Sequence, residues 1–216
     1  MAGRRYTAFE EEVGRDPDLV LEEASDFFMD RGTIIQALED LARRLDEASI
    51  PYAVIGAIAM GRHGMTRMTL DIDILLSREG LERFQEHYLG RGYVAAFPGA
   101  RKSFRAAETG VRIEVITTGE YPGDGKPKPV RFPDPADASV DRGGVQVLAL
   151  DRLVELKLAS GMTAPHRRRD LSDVQDLIRA LKLPAEFAEG LDPTVRPMYQ
   201  QLWGEAQAVD VVHEEG

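Results

Sequence analysis

The sequence predicts an α/β (α+β) protein: a mixed β-sheet flanked by helices, with a helical C-terminal extension. Three observations point that way. Short apolar runs of strand length, "PYAVIG", "DIDILL" and "VRIEVIT", interleave with helical patterns through the first part of the chain, as in a sheet covered by helices. A stretch dense in Pro and Gly, "TGEYPGDGKPKPVRFPDPADAS", then interrupts all periodicity. From Leu148 onward the apolar spacing is helical.

Taken in order, residues 1–18 are polar and expected to be loosely held, within a polar N-terminal extension 1–32. Ile34, Ile35, Leu38, Leu41, Ala42 and Leu45 recur at helical spacing, so residues 33–48 read as an amphipathic helix. "PYAVIG" is a short strand ending at Gly56, and "AIAMGRHG" is a helical turn or loop closed by Gly64. Residues 70–76 form the next strand. Ser77 is a plausible cap for a helix, "SREGLERFQEHYLGRG", that ends on Gly92. Strands are expected at 92–97, 102–107 and 111–117. Helices are expected at 148–160 and 168–182, with a looser pair out to Gln207. The expected organisation is thus an extension, a core of residues 33–147, and a helical region 148–216 packing on that core.

Bulk properties exclude several classes. No apolar run approaches the roughly 20 residues of a membrane-spanning helix, and the N-terminus lacks the apolar centre of a secretory signal. The chain has no cysteine, which removes disulfides, thiolate metal sites and a thiol nucleophile together. A cytoplasmic protein without a membrane partner is expected. A net charge of −10 argues against broad binding to nucleic acid, although a local basic patch can still hold a phosphate-bearing substrate.

The chemistry concentrates in "TRMTLDIDILLS". Side chains alternate along a strand, so Asp71 and Asp73 share one face while Ile72, Ile74 and Leu76 cover the other. Two carboxylates so close repel and lose hydration, a cost that a cation or a proton must offset. An isolated D-x-D pair is often only a solvated face. Here the opposite face is wholly aliphatic. In "VRIEVI", Glu114 falls out of phase with Val111, Ile113 and Val115, and so can stand as a third carboxylate. "VIGAIAMGRHG" precedes the pair and supplies a small-residue turn that lets backbone N–H groups approach a phosphate. Three hard oxygen donors beside such a turn suit Mg²⁺ and metal-assisted phosphoryl or nucleotidyl transfer.

The run "YAVIGAIAMGRHGMTRMTLDIDILLS", with Glu114 on a later strand, resembles the signature of the polymerase-beta-like nucleotidyltransferase superfamily. "LALDRLVELKLASGMTAPHRRRDLSDVQDLI" resembles a narrower branch, the abortive-infection type nucleotidyltransferases, many of them toxins of toxin–antitoxin pairs. The resemblance spans roughly residues 33–180 and implies a nucleotidyltransferase-like core over 33–147. It implies that Asp71 and Asp73 bind two Mg²⁺ ions, that Glu114 ligates the second and accepts a proton, and that Gly56 and Ala57 contact phosphates through backbone N–H groups. The substrate would be a nucleoside triphosphate such as ATP, the acceptor an RNA such as a tRNA end, and a partner an antitoxin protein. Two departures stand out: Ala57 replaces a common Ser or Gly, and Glu114 a common Asp.

Lys157 falls within the apolar stripe of Leu150, Leu153, Val154 and Leu158. It either snorkels at the core edge or reaches the acidic site. Asp170 and Asp173 lie one helical turn apart; they favour the helix dipole, or Asp170 orients Lys157 or an arginine. "PHRRRD" at 165–170 is the densest positive patch and includes Arg169, which can bind acceptor phosphates, with Arg62 and Arg67 flanking the phosphate turn. His63 and His166 show no ligand spacing for zinc. Competing readings are a small-molecule nucleotidyltransferase of the antibiotic-modifying kind and a non-catalytic nucleotide-binding module of the same fold. A D-x-D glycosyltransferase is set aside because Asp71 comes too early for a preceding nucleotide-binding half.

Overall fold

The structure is a computed structural model that describes residues 8–13, 17–28, 32–65 and 67–214. Seven strands form one mixed sheet: β1 (Tyr52–Val54), β2 (Asp71–Leu76), β3 (Tyr93–Ala95), β4 (Ser103–Ala106), β5 (Arg112–Thr117), β6 (Ser139–Asp141) and β7 (Gln146–Leu148). Their spatial order is β3-β4-β5-β2-β1-β7-β6. The pairs β2–β5 and β1–β7 are parallel and the other four antiparallel. The helices are α1 (Phe9–Val13), α2 (Pro17–Phe28), α3 (Thr33–Glu47), α4 (Gly56–Arg62), α5 (Arg78–Tyr88), α6 (Pro135–Ala138), α7 (Leu150–Thr163), α8 (Arg169–Leu181) and α9 (Arg196–Glu214). The mixed sheet with flanking helices and helical C-terminal third is the predicted fold class.

The apolar stripe of α3 is buried, from Ile34 to Leu45, while Asp40, Arg43, Arg44 and Glu47 pair with one another on its outer side. On α5, the Ser77 hydroxyl accepts from the Gly80 N–H at 2.9 Å and caps the first turn as the sequence indicates. Phe84 of that helix packs on Phe104 and Tyr93, with ring centroids 5.2 and 5.1 Å away. Phe104 opposes Ile113 across β4–β5, so α5 covers the sheet face that also carries Ile72 and Ile74. Asp71 and Asp73 are left on the other face.

Three elements depart from the sequence reading. Within residues 1–18, expected to be loosely held, α1 forms, and α2 follows in the polar extension; Phe9 and Phe27 enter the core at 4% and 8% exposure. Residues 1–7 and 14–16 lie outside the described residues. The hairpin β6–β7 sits where loop and helix were expected. Its strands are too short to show a period, and its Gly143 and Gly144, at φ +68° and +81°, make the mirror-image turn that suits a tight hairpin.

Helices α7 and α8 pack closely because Gly161 has no side chain. A Cβ there would stand 2.6 Å from Leu171 Cγ and 3.2 Å from the Leu171 backbone nitrogen. Gly161→Ala should therefore lower the melting temperature. The ~1 kcal/mol gain in helix propensity is outweighed by an overpacking cost of about 1–3 kcal/mol, since the backbone of α8 cannot step aside cheaply. A thermal melt in which Gly161→Ala equals or exceeds the parent would contradict this contact.

Candidate active site

Parallel pairing of β2 and β5 sets Asp71 opposite Arg112 and Asp73 opposite Glu114. Alternation puts all four on one face, so the third carboxylate stands one strand from the D-x-D pair. Asp73 is the most burdened of the group. Burial, then Asp71, then Glu114 push its carboxyl up to about 7, against the pull of Lys157 and Arg167. Among the described residues neither carboxylate oxygen of Asp73 receives a hydrogen bond. Asp71 accepts from the Thr69 hydroxyl. Glu114 accepts from the Ser103 hydroxyl at 2.7 Å and pairs with Arg112 on its own strand. Among the described residues no three His, Asp or Glu side chains are gathered tightly enough to hold a metal ion jointly.

Gly56 opens α4 with φ +66°, and a Cβ there would stand 2.4 Å from Asp73 Oδ2. The conformation and the contact both demand glycine. Gly56→Ala should thus force Asp73 out of place and lower the melting temperature by several degrees, on the order of 1–3 kcal/mol; an unchanged melt would show that the carboxylate moves freely. Ala57 is buried at 5% exposure, so its side chain packs inward and only its backbone can serve a ligand.

Gly56 and Asp73 form the floor of a cavity of about 270 Å³. One wall is α7, through Leu153, Leu156, Lys157 and Ser160; the other is the Pro/Gly-rich loop after β5, through Glu120, Tyr121, Pro122, Gly123 and Phe132. Arg167 and Asp170 close one end. Lys157 lines this cavity while its Nζ donates to Asp173 at 2.6 Å and Asp170 at 3.1 Å. Asp170 also accepts from the Ser160 hydroxyl at 2.6 Å, and Asp173 from Arg67 at 3.1 Å. The structure therefore brings together Gly56, Asp73, Lys157 and Asp170, with Arg67 one ion pair away.

Other expected residues fall outside the cavity. Arg62 points its Nη1 toward the β6–β7 turn, 3.8 Å from where a Gly143 Cβ would stand. Arg169 is exposed at the start of α8; the arginine of the 165–170 patch that reaches the cavity is Arg167. Sequence reasoning missed Tyr121, Phe132 and Ser160. The aromatic pair sits in a loop without periodicity, where only the return of the chain over β5 gives it a role. His63 donates its Nε2–H to the Leu148 carbonyl, at 2.8 Å, and joins α4 to β7.

No protein-family model matches the chain, and no curated protein matches it. Solved structures do resemble it. A Thermotoga maritima protein assigned to the nucleotidyltransferases aligns with 64% of this chain and 92% of its own, at 19% identity and a TM-score of 0.45. ANT(2″)-Ia in complex with adenylyl-2″-tobramycin aligns with 77% of this chain and 95% of its own, at 15% identity and a TM-score of 0.48. An antigenic nucleotidyltransferase-like protein from Paracoccidioides brasiliensis aligns with 66% and 74%, at 13% identity and a TM-score of 0.43. Among the described residues no helix is long and apolar enough to cross a membrane.

Proposed function

We propose that the protein is a magnesium-dependent nucleotidyltransferase that moves a nucleoside monophosphate from a nucleoside triphosphate to an acceptor hydroxyl. One observation carries this reading: Asp73 is half-buried beside Asp71 and Glu114, raised to about 7, and held against Gly56, where any side chain would be strained. A protein retains such a cost where a cation is to be bound. The Asp71–Asp73 pair fits Mg²⁺, which takes one or two protein carboxylates and leaves its other positions to phosphates and water. Bound there, the metal supplies Lewis-acid polarisation of the triphosphate and acidifies the attacking hydroxyl.

The remaining roles fall to the chain. Lys157 and Arg167 face the cavity with positive charge for the phosphates, and Tyr121 and Phe132 give it an aromatic wall suited to a nucleobase. Backbone N–H groups of Gly56 and Ala57 are assigned to phosphate oxygens. The acceptor oxygen attacks the α-phosphorus and the bond to the bridging oxygen breaks. Pyrophosphate leaves with that electron pair, and the hydroxyl proton passes to Glu114, one strand from Asp73.

The test is transfer of label from each α-labelled nucleoside triphosphate, with Mg²⁺, to total RNA in one arm and to aminoglycosides in another. RNA labelling supports the RNA-modifying reading, the one under which a toxin with an antitoxin partner is expected, and aminoglycoside labelling the antibiotic-type reading. Transfer should vanish with chelator and in Asp71→Ala/Asp73→Ala. No labelled acceptor in any arm, or labelling that survives the double substitution, overturns the proposal. The engagement of Glu114 by Ser103 and Arg112 favours one second reading, a nucleotide-binding module without turnover. Calorimetric binding of nucleotide without labelling would select it.

A further inference from the structure

The sheet face that carries Asp71 and Asp73 continues beyond them in two rows. One runs Asp73, Glu114, Ser103 and the other Asp71, Arg112, Arg105, each step one strand. Arg105 and Arg112 are directly opposite in the antiparallel pair, a placement in which like charges destabilise a sheet. Each guanidinium has been given a carboxylate. Arg112 is paired through its Nε with Glu114 of its own strand. Arg105 is met from outside the sheet: Glu10 of α1 accepts from its Nη1 at 2.9 Å and its Nη2 at 2.6 Å. Phe9, beside Glu10, is buried and holds α1 against the core.

A two-pronged contact between guanidinium and carboxylate has the geometry with which arginine also grips phosphate. Arg105 lies two strand steps, about 10 Å, from Asp71, on the side away from the cavity lined by Lys157 and Arg167. The triphosphate cavity and the arginine pair therefore flank the carboxylates from opposite sides. We propose that Arg105 and Arg112 form a subsite for a phosphate group of the acceptor, and that Glu10 occupies it as an internal substitute which the acceptor displaces. The word acceptor rests on the transferase reading; the anion subsite and its carboxylate occupant do not. A phosphate-bearing acceptor such as a nucleic acid strand fits this pair, whereas a polycationic one would be repelled by it.

The probe is inorganic phosphate, titrated calorimetrically into the full chain with chelator and without nucleotide. Removing the carboxylate charge in Glu10→Gln should tighten phosphate binding about tenfold or more, ~1.4 kcal/mol. Adding Arg105→Gln should abolish the gain. Equal affinities for parent and Glu10→Gln, or a gain that persists in Glu10→Gln/Arg105→Gln, overturn the proposal. The parent chain offers a second reading that needs no variant: phosphate should speed limited proteolysis within α1, Phe9–Val13, and unchanged cleavage there counts against displacement. Neither readout involves transfer, so the subsite can fail while the transferase reading stands, and the reverse.

Discussion

Asp73→Asn should melt at a higher temperature than the parent protein in chelator at pH 8, while losing all nucleotidyl transfer when Mg²⁺ is restored. The carboxyl of Asp73 is raised to about 7 in the folded chain, first by burial and then by Asp71 and Glu114; unfolded, an aspartate titrates near 3.9. Folding therefore favours the protonated form. The stability cost of ionising Asp73 is absent below about pH 4, grows as pH rises toward 7, and is complete above it. Between those two values the cost reaches about 4 kcal/mol at most, and relaxation around the carboxylate brings the expected figure to about 2–4 kcal/mol. For a chain of this size that is roughly 5–12 °C. An amide at this position carries no charge to desolvate or repel, so the gain should be largest at pH 8 and fade toward pH 5. Mg²⁺ should raise the melting temperature of the parent at pH 8 and leave Asp73→Asn unmoved. A variant that melts at or below the parent at pH 8 would show that Asp73 already has its counter-charge within the chain. Stability gained with activity lost is the pattern of a residue kept for chemistry.

The legible parts of the molecule were those with a period. The apolar stripe of α3, the alternation through "DIDILL" and "RIEVIT" and the Ser77 cap all have one dominant local cause, and each element appears where that cause places it. The shared face of Asp71, Asp73 and Glu114 follows from the same alternation, but the register that sets Asp73 beside Glu114 does not. It depends on which strands pair, and non-consecutive pairing leaves no local trace. The β6–β7 hairpin did leave one, in the Gly-Gly of its turn. Its three-residue strands gave nothing to confirm it. Helix α1 was hidden by composition: "FEEEV" reads as solvated chain until Arg105, 95 residues away, supplies the partner for Glu10. Likewise the choice of Arg167 over Arg169 turns on a short 3₁₀ turn, Pro165–Arg167, that precedes α8 and sets where each side chain leaves the backbone.

Lys157→Met should be among the most destabilising single substitutions in the chain, by about 3–5 kcal/mol. Lys157 is 8% exposed and its ammonium sits between two carboxylates, Asp173 at 4% exposure and the largely covered Asp170. Methionine matches the stem of lysine in length, so packing is nearly preserved and the loss is electrostatic. Arg67 still reaches Asp173 and Ser160 still donates to Asp170, which keeps each acid partly satisfied but leaves their mutual repulsion uncompensated. Against a typical domain stability of about 5–15 kcal/mol, such a loss brings much of the population near unfolding at 37 °C. The cause can be separated from the position. In Lys157→Met/Asp170→Asn/Asp173→Asn the three buried charges leave together, while Arg67, 29% exposed, keeps water for its guanidinium; replacing a buried ionic group by neutral residues is often close to neutral, so most of the lost melting temperature should return. Phosphate binding by the nucleotide should not return with it, because the positive charge facing the cavity from α7 is gone. Nucleotide affinity measured on the refolded triple variant thus divides the two duties of Lys157: tying α7 to α8 and facing the triphosphate. A triple variant that binds nucleoside triphosphate as tightly as the parent would leave Lys157 with the first duty alone.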